Sequence, residues 1–158
     1  MNGKVIVTGG TGYIGSHTAV ELITAGFEVV IIDNLYNSDI SVLDGIRSIP
    51  GVTPKFYDYD LCDSQKLEEV FGAEGKVDAI IHFAAYKAVG ESVRKPLEYY
   101  RNNLTSLMNL LEGRRPRRAR GGRGSRSAAG RSGARPPVLA GCAVRRAAAG
   151  AFRFHNLR

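Results

Sequence analysis

Cysteine is scarce in this chain: Cys62 and Cys142 are the only two in 158 residues. Two thiols so far apart make neither a metal-ligating spacing nor a disulfide framework, which fits a reducing, cytoplasmic setting. Long apolar runs are missing too, and since a bilayer span takes about 20 such residues, no membrane-crossing segment is expected. The first residues lead straight into a β-branched run, with no basic stretch or cleavage site, so no signal peptide is expected. The last absence is regional. No tyrosine follows Tyr100, no lysine follows Lys95, and no acid follows Glu112.

That regional absence divides the chain. All 15 acidic residues lie in 1–112 with nine basic ones, whereas 113–158 holds 13 arginines and no acid. The overall charge of +7 therefore averages an acidic segment with a strongly basic one and says little about partners. Residues 113–158 are mostly Arg, Gly, Ala, Pro and Ser, with no helical stripe and little apolar content, so a disordered tail is expected. A restricted alphabet that begins abruptly inside a helical pattern is what a G+C-rich gene yields when read out of frame. The competing reading is a nucleic-acid arm, since Arg120-Gly121-Gly122-Arg123-Gly124 resembles an RGG segment. Aromatic residues are not interleaved there until Phe152, which makes a nucleic-acid partner the weaker reading.

What residues 1–112 contain is more specific. Val5-Ile6-Val7 reads as a buried parallel strand, and Gly9, Gly12 and Gly15 follow at three-residue spacing before a helix from Tyr13 to a stop at Gly26. Strand, glycine turn and helix are the parts that set a pyrophosphate on a helix N-terminus. Gly9 serves the tight turn, Gly12 opens backbone N–H groups to phosphate, and Gly15 lets the helix lie close to the strand. A second buried strand, Glu28–Ile32, ends in Asp33, about 20 residues past the glycines. A carboxylate there accepts two ribose hydroxyls and repels a 2′-phosphate, so the expected cofactor is NAD.

Further along, Ser38 or Asp39 caps a helix through Leu43 and Ile46 that Pro50-Gly51 breaks, and Lys55–Tyr59 reads as a third strand. Asp60-Leu61 after it either meets an adenine or forms a solvated turn. Asp63-Ser64 caps the next helix, and Val77–Ala85 is the fourth strand, with small residues at its C-terminal end. His82 within it reads as a core histidine. Lys87 beyond it is either a surface lysine or a phosphate contact. Pro96 opens a helix with Leu97, Tyr100, Leu104, Leu107 and Leu111 at helical spacing, a face read as core, and Asn102 and Asn103 enter near the cofactor. The fold expected is α/β, a Rossmann-like doubly wound parallel sheet that stops after about four strands. The fourth strand would then be an unprotected apolar edge, with poor solubility as the consequence.

Thr8-Gly9-Gly10-Thr11-Gly12-Tyr13-Ile14-Gly15 resembles the TGxxGxxG turn of the extended short-chain dehydrogenase/reductase family. His17, Asp33-Asn34-Leu35, Asn37-Ser38, His82-Phe83-Ala84-Ala85, Lys87–Ser92 and Pro96–Asn103 narrow the resemblance to the UDP-glucose 4-epimerases over residues 3–112. The resemblance implies an NAD-dependent interconversion of UDP-glucose and UDP-galactose in galactose metabolism. Carried over by position, it places Gly9, Gly12, Tyr13 and Ile14 on the pyrophosphate, with Gly15 packed beneath. Asp33, Asn34, Leu35, Asn37 and Ser38 would surround the adenosine ribose, and Asp60 and Leu61 the adenine. Phe83, Ala84, Ala85, Lys87 and Asn102 would line the path to the nicotinamide. The partners implied are a UDP-sugar and a second copy of the chain, through helices that include the one opening at Pro96. The family's base is the tyrosine of a Tyr-x-x-x-Lys pair, and no such pair follows the fourth strand here, so no catalytic residue is assigned. Alternatives are another NAD-dependent sugar-nucleotide epimerase or dehydratase, or a non-catalytic fragment that binds NAD or nucleic acid.

Overall fold

The computed structural model describes residues 2–113 and the backbone of 138–140. Its sheet is parallel throughout, in the order β3-β2-β1-β4-β5. The strands are β1 (Lys4–Thr8), β2 (Glu28–Asp33), β3 (Lys55–Asp58), β4 (Ala79–His82) and β5 (Val138–Ala140). Between them run α1 (Tyr13–Thr24), α2 (Val42–Ser48), α3 (Ser64–Glu74), α4 (Val89–Arg94) and α5 (Pro96–Gly113). The doubly wound sheet and its first four strands are as the apolar runs predict. The runs of β1, β2 and β4 are apolar on both sides because helices cover both faces.

The side chains of the central strands alternate between two cores. Val5, Val7, Val29, Ile31, Ala79 and Ile81 pack on the α1–α2 face with Ala19, Leu22 and Ile46. Ile6, Val30, Ile32 and Ile80 pack on the other face with Leu67, Val70 and Leu110 of α3 and α5. Local chemistry sets the helix ends. Asp63 caps α3 by accepting from the N–H groups of Gln65 and Lys66 at 3.1 and 3.2 Å, as its position predicts. Gly26, at φ +84°, turns the chain from α1 into β2. The second helix starts later than expected, with Ser41 at its N-cap, because Asp39 accepts from Ser41 N–H at 2.8 Å and forms a turn just ahead of it.

Two expectations are corrected. The fourth strand is not an open edge: β5 pairs with it in parallel, Ile80 opposite Val138 and His82 opposite Ala140. Three residues of the Arg-rich segment thus pair beside the four strands that the sequence predicts. The remainder of 113–158 beyond Gly113, with Cys142 and the RGG-like stretch, lies outside the described residues. The second correction concerns α5. Leu97, Tyr100 and Leu104 are 69%, 65% and 53% exposed, and Leu111 is exposed as well, while Tyr99, Ser106 and Leu110 are buried. This helix carries two apolar stripes, and the more regular one faces outward.

A polar network closes the end of the sheet where the strands begin. The Glu74 side chain is only 2% exposed, with Lys4 Nζ at 2.7 Å on one carboxylate oxygen and Lys55 Nζ at 2.6 Å on the other. Tyr57 donates its hydroxyl to Glu74 Oε1 at 2.6 Å. Burial pushes this carboxyl up, but the bonds from Lys4, Lys55 and Tyr57 outweigh it and hold it at about 2. The ordinary value is 4.5. A depressed carboxyl pKa contributes stability that is complete above its ordinary value and is lost as pH falls toward the folded one. Glu74→Gln should therefore cost roughly 1–3 kcal/mol at pH 7, discounted for the exposed Lys55, and should flatten the loss of stability between pH 4.5 and 2. Urea unfolding of both proteins across that range checks this, and superimposable curves would refute it.

Candidate functional site

The loops at the C-terminal ends of β1 to β4 surround a cleft of about 310 Å³ at the point where the strand order reverses, between β1 and β4. This is where open α/β sheets hold ligands. The floor is the turn after β1. Gly9 has φ +68°, and a Cβ on it would lie 2.7 Å from Ala84 N. The chain after β4 therefore presses against the turn, and only glycine fits both the φ and the contact. Gly15, one turn into α1, has no room either, because its Cβ would meet Gly9 O. These two contacts bear out the turn and close-packing roles that the glycine spacing predicts.

Gly12 is the N-cap of α1 and so brings no side-chain acceptor to the helix start, and no acid sits in the first turn. The N–H groups there are open toward the cleft and favour an anion. Asp33 ties this turn to the loop after β2. Its Oδ2 accepts from Thr11 N–H at 3.1 Å and its Oδ1 from Leu35 N–H at 3.0 Å. An ionised carboxylate has about four acceptor positions, so two remain for ligand hydroxyls. Thr11 and Ser38 join the same two segments through their hydroxyls, 2.7 Å apart. Leu35 sits at φ +55°, the only non-glycine with a positive φ among the described residues, and its turn sends the chain back over the cleft.

Of the residues singled out from sequence, Gly9, Gly12 and Tyr13 line the cleft on the α1 side. Asp33, Asn34, Asn37 and Ser38 line it from β2, and Asp60 and Leu61 from β3. Phe83, Ala84, Ala85, Lys87 and Asn102 complete the far wall. Gly15 is buried beneath the turn, Ile14 points outward half-exposed, and Leu35 turns the loop, so none of these three lines the wall. Asp60 combines both readings of its position, since it faces the cleft and its Oδ1 accepts from Cys62 N–H at 2.8 Å in a turn. His82 is a core histidine as expected: Thr8 Oγ1 lies 2.7 Å from its Nδ1, and burial holds its pKa below the ordinary value. Burial, reinforced by Asp60, pushes the Cys62 thiol up, away from the reactive thiolate.

Sequence reading missed Tyr36, Tyr59, Tyr86 and Ser106, which also line the cleft. Their only signal is position, next to the residues that were found. Asn103 proves to be a clamp. Its Oδ1 accepts from Tyr86 N–H at 2.8 Å and its Nδ2 donates to Tyr86 O at 3.0 Å, which fixes the chain after β4.

A family model described as GDP-mannose 4,6 dehydratase matches residues 6–122, which include every cleft residue named above. The chain belongs to that family. Among curated proteins, it is 55% identical over 111 residues to the UDP-glucose 4-epimerase of Yersinia pestis and 52% identical over 108 residues to that of Bacillus subtilis. These alignments cover 70% and 68% of this chain, and it spans about a third, 32%, of each relative. Solved UDP-glucose 4-epimerases share the fold. That of Stenotrophomonas maltophila, with bound NAD and formylated UDP-arabinopyranose, superposes with a TM-score of 0.67 at 45% identity. It covers 70% of this chain, and this chain covers 33% of it. The enzyme of Bifidobacterium longum, in complex with NAD+ and UDP, gives 0.67 at 48% identity over 70% of this chain and 32% of its own.

For this family member the glycine geometry makes a sharp contrast testable. Gly9→Ala should lower stability by roughly 2–4 kcal/mol, since it adds a left-handed side chain and a backbone clash. Gly45→Ala, in α2 with nothing within 4 Å of its Cβ, should raise stability by about 0.5–1 kcal/mol. Denaturant midpoints of the two variants measure this, and equal shifts would contradict it.

Proposed function

We propose that residues 1–112 are the NAD-binding part of a UDP-glucose 4-epimerase, the enzyme that interconverts UDP-glucose and UDP-galactose in cytoplasmic galactose metabolism. The observation that carries this reading is the turn Gly9–Gly12 at an uncapped helix N-terminus, tied by Asp33 to the loop after β2. When bound, NAD would supply the hydride chemistry. The helix start, with Gly12, Tyr13 and Ile14, holds the pyrophosphate. The free acceptor positions of Asp33 take the ribose hydroxyls, with Asn34, Leu35, Asn37 and Ser38 closing the loop over them. Asp60 and Leu61 flank the adenine, and Phe83, Ala84, Ala85, Lys87 and Asn102 line the route toward the nicotinamide.

The 158 residues by themselves are proposed to bind cofactor without turnover. A base able to take the sugar hydroxyl proton needs a lowered pKa, as a tyrosine beside a lysine has. Burial raises the pKa of Tyr86, and no tyrosine follows Tyr100. The restricted alphabet of 113–158 is read as out of frame with the family's substrate-binding part, which would grip the UDP-sugar. The match to the dehydratase model supports a second reading, a sugar-nucleotide dehydratase, which uses the same cofactor site. The exposed stripe Leu97, Tyr100, Leu104 and Met108 supports a homodimer, since an apolar helix face of that length favours burial. No helix among the described residues is long and apolar enough to cross a membrane.

Titration of the full chain with NADH, followed by fluorescence, should saturate, while UDP-galactose supplied with NAD should remain unconverted. Sustained conversion would overturn the non-catalytic reading, and no saturation would overturn the cofactor site. Sedimentation equilibrium of the same sample should give twice the chain mass, and a monomer at all concentrations would remove the dimer.

A further inference from the structure

Tyr36 and Tyr86 stand on opposite sides of the cleft, one on the loop after β2 and the other on the chain after β4. Neighbouring strands lie about 4.8 Å apart, so the ends of β2 and β4 are about 10 Å apart across β1. The two rings nevertheless meet, with centroids 5.1 Å apart and planes tilted by 35°. Their contact therefore crosses above the Gly9–Gly12 turn.

The two sides of the contact are held differently. Tyr86 is a fixed post: Asn103 grips its backbone N–H and C=O, and the buried Tyr99 ring packs edge-on behind it at 5.5 Å. Tyr99 is held in turn by its hydroxyl, which donates to Glu91 Oε2 at 2.9 Å. Tyr36 is the exposed side, 61% open to solvent on a polar loop, with its N–H donated to Asn34 Oδ1 at 3.2 Å.

We infer that Tyr36 and Tyr86 form a clasp across the cleft, which must open to admit a dinucleotide and which slows its release once closed. The inference rests on the dinucleotide reading and adds residues that the sequence motif does not include. A clasp that is already closed without ligand gates both directions. One aromatic pair contributes enough to leave the open form a minority of the population.

Stopped-flow binding of NADH to the full chain tests it. Tyr36→Ala, at an exposed position outside both cores, should raise the association and the dissociation rate constants together, each by about three- to tenfold. Tyr36→Phe keeps the ring pair and should leave both at the wild-type values. A faster dissociation with unchanged association would make Tyr36 a simple contact and overturn the clasp, as would rates unaffected by Tyr36→Ala. Failure of the wild-type chain to bind NADH would overturn the dinucleotide reading, and the clasp with it.

Discussion

No Cβ fits between the end of β1 and the chain leaving β4. Gly9 abuts Ala84 on one side and carries the carbonyl that Gly15 packs against on the other, so strand, turn and helix meet without a side chain between them. Much follows from that closeness. The start of α1 is brought up to the sheet edge with its N–H groups facing the cleft, and the chain after β4 is drawn in as the opposite wall. A methyl group at either glycine would push these parts away from each other.

Around this contact the molecule divides its polar chemistry between the two ends of the sheet. At the starting ends of the strands, Glu74 gathers Lys4, Lys55 and Tyr57 into a saturated network that joins β1, β3 and α3. At the finishing ends, the polar groups are only partly used. Asp33 spends one position of each oxygen on the backbone, Gly12 offers no cap, and Asn103 holds the chain rather than a ligand. The saturated end fixes the fold and the unsaturated end is left to bind.

The turn, the first two strands and the cap at Asp63 were legible because each depends on residues close in sequence: β-branched runs, glycine spacing, an acid before a helix. The cleft was largely legible for the same reason, since its walls are the residues just past each strand. Tyr36 and Tyr86 were not, because ring contact across the cleft depends on how two loops turn. Glu74 was missed because its partners lie 70 and 17 residues away. The face of α5 was misread because Leu97, Tyr100 and Leu104 repeat as regularly as a core stripe does, while the truly buried side mixes Tyr99 and Leu110 with Ser106. Periodicity shows that a helix has an apolar face but does not say what covers it. The fifth strand is three residues inside a compositionally odd segment and gives no periodic signal.

Asp33 is the residue on which the cofactor assignment turns, since its carboxylate welcomes paired ribose hydroxyls and repels a phosphate in their place. The most direct measurement is calorimetric titration of the full chain with NAD and with NADP under identical conditions. NAD should bind, and NADP should bind at least about tenfold more weakly, a factor worth about 1.4 kcal/mol. Equal or tighter binding of NADP would contradict the cofactor assignment.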